Sequence, residues 1–232
     1  MFDNIAGGYD RFNHLASWNA DRGWRRRAVR RIVDTDRPLT VLDVATGTAD
    51  MAVAVAKRAA EGSHVVGIDL SEGMLEVGRR KAAGLPVTLK EGDAEAMTFA
   101  DATFDRVCVA FGVRNFEHLS QGLREMCRVL KPGGRLVVLE LSYPDNRLLL
   151  WFYKLYAFRI MPLVGTRLTG SRGPYSYLPD SIMKFPKPAA FLPMLREAGF
   201  GVATARSLTF GVCRMYVAEK LGGESGVVEH VG

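Results

Sequence analysis

The sequence predicts an α/β fold built on a mostly parallel sheet with helices on both faces. Three observations predict it: five short apolar runs with strand character, helical patterns between them, and a turn of small residues directly after the first run. Strands that alternate with helices form parallel sheets, because each crossover helix covers one face. Ligands of such sheets bind outside the carboxyl ends of the strands, so we expect the functional residues there.

The first half of the chain is typical of a β-α-β unit followed by a third strand. The predicted strands cover residues 40–45, 64–69 and 86–93. A Thr-Gly-Thr turn closes the first strand, and apolar residues at helical spacing follow it from Met51. Ser71 is a favourable N-cap residue, so we expect a helix from there through about Ala82.

The second half continues this alternation and then departs from it. The remaining predicted elements are strands at 104–110 and 135–141, a helix at 188–198 and an antiparallel strand pair at 202–210 and 212–219. The helix between the fourth and fifth strands is expected to start at Asn115 or Ser120 and to stop at Lys131-Pro132-Gly133-Gly134. The antiparallel pair closes the sheet at its far edge.

The composition supports one domain rather than two. The chain has 232 residues, of which 48% are hydrophobic, and this supplies one large core. We therefore expect a single domain over residues 1–220, with a helical cap at 1–36. An aromatic insertion at 143–185 is expected to cover the active edge of the sheet, and the glycine-rich residues 221–232 to form a disordered tail.

Composition also argues against several classes of protein. Cys108, Cys127 and Cys213 lack paired spacing, which is typical of buried free thiols in a reducing compartment. The four histidines lack metal-ligand spacing, so no metal site is expected. The N-terminus has no secretory pattern, and charged residues interrupt the densest apolar run, 148–164. A cytoplasmic protein without a transmembrane helix is expected.

The net charge of +6 comes largely from one arginine cluster. The cluster consists of Arg22, Arg25, Arg26, Arg27, Arg30 and Arg31. A helical wheel places the apolar residues of this segment on one half and Arg26, Arg27, Arg30 and Arg31 on the other. That polar half is read first as a solvated face. Contact with anionic lipid headgroups and contact with nucleic acid are the alternatives.

The turn after the first strand predicts a nucleotide-type cofactor. Gly47 lets a ligand approach the backbone closely, and Asp69 at the end of the second strand is placed to accept hydrogen bonds from ribose hydroxyls. No register of this turn has all three glycines of the dinucleotide motif G-x-G-x-x-G. Asp43 and Asp50 would repel a pyrophosphate but attract a sulfonium and an amino group. These residues favour S-adenosylmethionine over NAD.

Six segments carry a specific combination of motifs: V-L-D-V-A-T-G-T-A-D, G-I-D-L-S, G-D-A-E-A-M-T-F, F-G-V-R-N, R-V-L-K-P-G-G-R-L-V-V-L-E and Y-S-Y-L-P-D-S-I. From Tyr9 to Lys220 the chain resembles the ubiquinone/menaquinone biosynthesis C-methyltransferases. The resemblance implies a class I methyltransferase (Rossmann-like) fold with a seven-stranded sheet whose last strand is antiparallel. It also implies S-adenosylmethionine-dependent C-methylation of a polyprenylated hydroquinone. Demethylmenaquinol is the first acceptor and a polyprenyl benzoquinol is the alternative.

The resemblance further implies roles for individual residues. The positions that match cofactor contacts of the family are Thr48, Asp69, Asp93, Ala94 and Ala110. The positions that match the quinol pocket, and are therefore the catalytic candidates, are Arg114, Asn115 and Tyr9. Ala49 stands where many members of the family have glycine.

These residues suggest how a ring carbon becomes nucleophilic. A hydroquinone must lose a phenolic proton, and the permanent charge of Arg114 would lower the pKa of that phenol and hold a water that takes the proton. Asn115 and Tyr9 would orient the hydroxyls. A transient contact with the inner face of the membrane suits a polyprenyl substrate, and no nucleic-acid partner is expected.

Two other classes of protein remain open on the sequence alone. One is an NAD-dependent oxidoreductase, which the broken glycine pattern disfavours. The other is a non-catalytic membrane-associated or RNA-binding protein on the same scaffold, which the arginine cluster suggests. The oligomeric state is also open, with a homodimer among the options.

Overall fold

The computed structural model describes residues 17, 19–156, 159 and 180–222. Seven strands form one sheet in the order β3-β2-β1-β4-β5-β7-β6. They are β1 Thr40–Val44, β2 His64–Asp69, β3 Val87–Glu91, β4 Phe104–Ala110, β5 Leu130–Leu141, β6 Phe200–Leu208 and β7 Cys213–Lys220. Neighbours among β1 to β5 pair in parallel, and β7 pairs antiparallel with both β5 and β6. The predicted fold class, including the antiparallel last strand, is confirmed.

Helices cover both faces of this sheet. The helices of the described residues are α1 Ala20–Ile32, α2 Asp50–Ala56, α3 Glu72–Lys81, α4 Leu119–Val129, α5 Arg147–Leu155 and α6 Pro188–Glu197. Helix α5 has no buried residue and is not part of this cover. Buried side chains of α1, α2 and α3 form one apolar core, and those of α4 and α6 form a second. Alternate residues of a strand enter opposite cores, as Val41 and Leu42 do. Covering both faces explains why the central strands are apolar almost throughout.

Helix α1 carries the arginine cluster as the wheel predicts. Ala28, Val29 and Ile32 are buried, whereas the four arginines of the predicted polar half are exposed. The indole nitrogen of Trp24 donates a hydrogen bond to the hydroxyl of Thr209 at 2.8 Å, which ties the first turn of α1 to the β6–β7 connection. The amino end of α1 therefore lies at the carboxyl edge of β1 to β5.

The start of α4 corrects the expected boundary. The helix begins at Leu119, and neither Asn115 nor Ser120 caps it. Instead, the carboxylate of Glu95 accepts hydrogen bonds from the amides of Glu117, at 2.7 Å, and His118, at 3.0 and 3.1 Å. Asn115 ends a short 3₁₀ turn, Val113–Asn115. Glu95, 22 positions before Glu117, thus accepts hydrogen bonds from the amides at the start of the helix.

The segment that ends α4 also differs from the expected strand boundary. The helix stops at Val129, and β5 begins at once with Leu130, which pairs with Phe104. Regular pairing then resumes between Arg106 and Arg135, so the Lys-Pro-Gly-Gly residues bulge out of the ladder. Gly133 has a φ of 72°, the left-handed conformation that glycine adopts without strain.

Other expectations for single residues hold. The hydroxyl of Ser71 accepts a hydrogen bond from the amide of Met74 at 3.3 Å, which confirms it as the cap of α3. Cys108, Cys127 and Cys213 are buried free thiols. In the part of the chain that the structure describes, no helix combines the length and the apolar character that crossing a bilayer requires.

Candidate active site

A cavity of about 350 Å³ opens at the carboxyl edge of β1, β2, β3 and β4. All seven residues expected to bind the cofactor line it: Asp43, Gly47, Thr48, Asp69, Asp93, Ala94 and Ala110. They lie at the carboxyl ends of four strands or in the turns that follow, and the parallel sheet brings them together because its strands end at one edge. The volume lies within the range of small-molecule sites.

The turn between β1 and α2 forms the floor of the cavity. Ala45, Gly47 and Ala49 have φ values of 51°, 55° and 65°, so the chain folds back through three left-handed residues. A side-chain carbon on Gly47 would meet no atom within 4 Å, which leaves the space above it to a ligand. Ala49 adopts a left-handed conformation that glycine tolerates better than a residue with a side chain.

Asp69 fixes this turn as well as facing the cavity. Its Oδ2 accepts a hydrogen bond from the amide of Gly47 at 2.8 Å, and its Oδ1 accepts one from the amide of Ser71 at 3.0 Å. The carboxylate therefore joins the ends of β1 and β2. One oxygen edge can face a ribose while the backbone holds the group in place.

Asp43 is a buried carboxyl behind the same turn. Its Oδ2 accepts hydrogen bonds from the hydroxyl of Thr46 at 2.6 Å and the amide of Ala52 at 3.1 Å. The thiol of Cys108 donates to its Oδ1 at 3.4 Å. Burial raises the pKa of Asp43 to about 6, and these hydrogen bonds work against that shift. The acid thus both fastens the turn to α2 and lends negative charge to the cavity.

Thr48 and Asp50 share one cation outside the cavity wall. The ammonium of Lys81 donates hydrogen bonds to the Thr48 hydroxyl at 2.9 Å and to Asp50 Oδ1 at 2.8 Å. Lys81 ends α3, so this contact couples α3 to the start of α2. The Thr48 hydroxyl oxygen is therefore held toward the end of α3.

Residues after β3 complete the side of the cavity away from β4. Asp93 accepts a hydrogen bond from the amide of Glu95 at 2.8 Å, and Ala94 is buried beside it. Glu95, which lines the cavity too, holds the entrance of α4. Asp93 and Ala94 therefore occupy a turn that Glu95 links to the start of α4.

The three catalytic candidates occupy different places. Asn115 lines the cavity. Arg114 is absent from the cavity wall formed by the described residues; its Nη1 donates to Glu140 Oε1 at 2.7 Å and to the carbonyl of Phe111. Its amide donates to Glu140 Oε2 at 3.2 Å. Tyr9 lies outside the described residues.

Glu140 and Arg25 are two site residues that the sequence reasoning missed. Glu140 is fully buried near the end of β5 and forms an ion pair with the nearly buried Arg114. An acid inside the apolar run from Leu136 to Leu141 was the available signal. Arg25 lines the cavity although it belongs to the arginine cluster. The helical wheel held the signal there, because it places Arg25 inside the apolar half, between Ile32 and Val29, and away from the exposed arginines.

The profile of the ubiE/COQ5 methyltransferase family matches residues 1–220. The chain belongs to this family. It is 45% identical to the ubiquinone/menaquinone biosynthesis C-methyltransferase UbiE of Geobacter sulfurreducens, covering 95% of this chain and 87% of that protein. It is also 45% identical to the demethylmenaquinone methyltransferase of Thermus thermophilus, covering 95% of this chain and all of that protein. The resemblance inferred from the motifs is confirmed.

Solved structures share the fold at lower identity. A chain of the Haloferax volcanii complex between the Trm112 methyltransferase activator and a methyltransferase aligns with a TM-score of 0.69 at 19% identity, covering 95% of this chain and 98% of that one. Haemonchus contortus phosphoethanolamine N-methyltransferase 2, solved with S-adenosyl-L-methionine, aligns with a TM-score of 0.63 at 15% identity, covering 85% of this chain and 52% of that one. These likenesses show the class I methyltransferase fold.

The cavity suits the methyl donor of this family. Its described lining includes five acids, Asp43, Asp50, Asp69, Asp93 and Glu95, and a single basic residue, Arg25. A pyrophosphate would be repelled by this set, whereas a sulfonium and an ammonium are attracted. The enzyme is an S-adenosylmethionine-dependent methyltransferase, and the oxidoreductase and non-catalytic alternatives are not favoured.

Proposed function

We propose that the enzyme methylates a ring carbon of demethylmenaquinol to give menaquinol. The observation that carries this proposal is the acid-rich cavity at the sheet edge, with the Arg114-Asn115 loop next to it, in a chain so similar to demethylmenaquinone methyltransferases. When bound, S-adenosylmethionine supplies an electrophilic methyl group. The residues of this chain must then place an electron-rich ring carbon in line with that group and exclude water.

We propose that Arg114 acts on the quinol by position more than by net charge. Glu140 already neutralises its guanidinium, so the pair brings little net charge to a phenol. A guanidinium fixed by a carboxylate and a carbonyl presents its N–H groups in one orientation, which favours one binding geometry of a quinol oxygen. Asn115, which faces the cavity, and Tyr9 would orient the hydroxyls. The water that takes the proton would bind at Arg114.

Segment 143–185 is proposed to cover the quinol, and the helical cap 1–36 to close the cofactor side. Tyr153 in α5 supports the first part. Burial raises the pKa of Tyr153 to about 12, and the nearby charge of Arg114 works against that shift. A half-buried phenol from this segment thus lies near the guanidinium proposed to bind the quinol. Residues 157–158 and 160–179 of the segment, residues 1–16 and 18 of the cap, and the tail from 223 lie outside the described residues.

We further propose that the enzyme works at the membrane surface, where a polyprenyl quinol resides. Helix α5 supports this proposal because none of its residues is buried. Its large exposed apolar side chains are Leu148, Leu149, Trp151, Phe152 and Leu155. The exposed arginines of α1 could meet anionic headgroups. Replacing Trp151 and Phe152 with serine should reduce cosedimentation with phosphatidylglycerol vesicles. Unchanged cosedimentation would contradict a membrane role for α5.

A methyl-transfer assay tests the function itself. The enzyme is incubated with methyl-labelled S-adenosylmethionine and chemically reduced demethylmenaquinone in detergent micelles, and the product is analysed by mass spectrometry and NMR. We expect one methyl group on the ring carbon and none on oxygen. A methyl ether as product, or no transfer by an enzyme that binds the donor, would contradict C-methylation of this quinol.

A further inference from the structure

We propose that Arg25 binds the α-carboxylate of S-adenosylmethionine. This inference rests on the proposed function, because it concerns the cofactor cavity of the same enzyme. S-adenosylmethionine carries a carboxylate besides its positive charges, and five acids around the cavity would repel that group. Arg25 is the single basic residue among the described residues of the lining.

The strand order assigns Arg25 to one end of the cavity. The cavity crosses the strand ends in the order β3, β2, β1, β4, with Asp93 after β3 and Asp69 at the end of β2. Arg25 lies at the other end, where its guanidinium carbon is 5.4 Å from the ring centroid of Phe111 after β4. The ends of β3 and β4 are three strand spacings apart, about 14 Å. A ribose held at Asp69 therefore leaves the amino-acid end of the cofactor near Arg25.

Fixed neighbours orient the guanidinium. Its Nη1 donates to Asp21, one helical turn earlier, and Asp21 also accepts a hydrogen bond from the hydroxyl of Ser17 at 2.6 Å. The side chain of Arg25 is only 16% exposed, and its stacking on Phe111 keeps the planar group at the cavity wall. Arginine in such a position offers a planar fork of donors that matches a carboxylate.

The second acid beside Arg25 is a weaker competitor for it. Asp50 Oδ2 lies 3.5 Å from Arg25 Nη2, whereas Asp50 Oδ1 lies 2.8 Å from the ammonium of Lys81. Lys81 thus satisfies Asp50 more closely than Arg25 does. A bound carboxylate could take the Nη2 side of Arg25, and the cofactor ammonium would gain Asp50 as its neighbour.

Calorimetric titration with two ligands tests this assignment. The ligands are S-adenosylmethionine and its decarboxylated analogue, which keeps the sulfonium and the amine but lacks the carboxylate. Arg25→Gln should weaken binding of S-adenosylmethionine about tenfold to a hundredfold, the range of a charge-assisted hydrogen bond. Its affinity for the decarboxylated analogue should change less than about twofold. Arg22→Gln, an exposed arginine of the same helix, is the matched control and should leave both affinities unchanged.

The outcomes separate this inference from the proposed function. Equal weakening of both ligands in Arg25→Gln would show a merely structural residue, and unchanged affinities would show no contact; either result overturns the inference. Arg25→Lys, which keeps the charge but not the fork, should give an intermediate loss for S-adenosylmethionine only, and it serves if the glutamine variant fails to fold. If the unsubstituted enzyme binds the donor but methylates no quinol, the proposed acceptor is wrong while the Arg25 result stands.

Discussion

The cofactor side and the substrate side of this sheet edge are built differently. On the cofactor side, from β1 to β3, carboxylates hold backbone turns, as Asp69 does with Gly47 and Ser71. On the proposed substrate side, at the ends of β4 and β5, a buried ion pair, Arg114–Glu140, lies near a helix with exposed apolar side chains. Several carboxylate–amide contacts therefore hold the turns of the cofactor side, while a buried ion pair distinguishes the proposed substrate side.

Removing the acidic member of that pair should give the largest loss of stability. Glu140→Gln leaves a nearly buried guanidinium without its counter-charge, which costs about 3–5 kcal/mol in free energy of unfolding. Chemical denaturation followed by circular dichroism measures this loss. Glu219→Gln, which removes a more exposed partner from Arg135, is the matched control and should cost less than about 1 kcal/mol. Similar losses in both variants would contradict a special role for the buried pair.

On the cofactor side, the stability of the fold should depend on pH through the buried carboxyl of Asp43. Burial raises the pKa of Asp43 to about 6, while an aspartate of the unfolded chain titrates near 4. Between these values the folded protein binds more protons than the unfolded one, so this group stabilises the fold most below about pH 4. That contribution is lost as the pH rises through about 6, a change of about 3 kcal/mol.

Asp43→Asn isolates this pH effect, because asparagine does not titrate. The unfolding free energy of the unsubstituted enzyme minus that of the variant should fall between pH 4.5 and pH 7.5. Urea denaturation at each pH gives the difference. A difference that is constant or rises with pH would show that the carboxyl of Asp43 does not have a raised pKa.

Arg114→Lys should separate the two sides kinetically. Lysine keeps the charge but loses the planar fork, so we expect turnover to fall about a hundredfold. Affinity for S-adenosylmethionine should change less than about twofold, because Arg114 lies outside the described lining of the cofactor cavity. Single-turnover kinetics and calorimetry measure the two quantities. Near-normal turnover, or an equal loss of affinity for S-adenosylmethionine, would contradict the assignment of Arg114 to the substrate and not to the cofactor.

The sequence was informative where a residue's neighbours are close in the chain. The apolar runs located the strands, and the cap at Ser71 was correct because its partner, Met74, is three residues away. The seven cofactor positions lie around one cavity, since motif positions at strand ends meet at one edge of a parallel sheet.

Features that depend on residues distant in the chain could not be predicted from the sequence. The start of α4 is set by Glu95, which the local sequence of the helix does not contain. Arg25 belongs to a cluster of arginines in the sequence, and although the helical wheel places it within the apolar half, its partner Phe111 is distant in the chain. Glu140 shows the same limit, since its partner is 26 residues away.

The most direct test of the account is the ratio of kcat/KM for two acceptors measured side by side. Demethylmenaquinol and a demethylated polyprenyl benzoquinol of equal tail length are each reduced and offered with labelled S-adenosylmethionine under identical conditions. The account predicts methylation of both to be carbon-specific, with demethylmenaquinol preferred by at least about tenfold, or about 1.4 kcal/mol in transition-state binding. A preference for the benzoquinol, or transfer to neither acceptor, would contradict it.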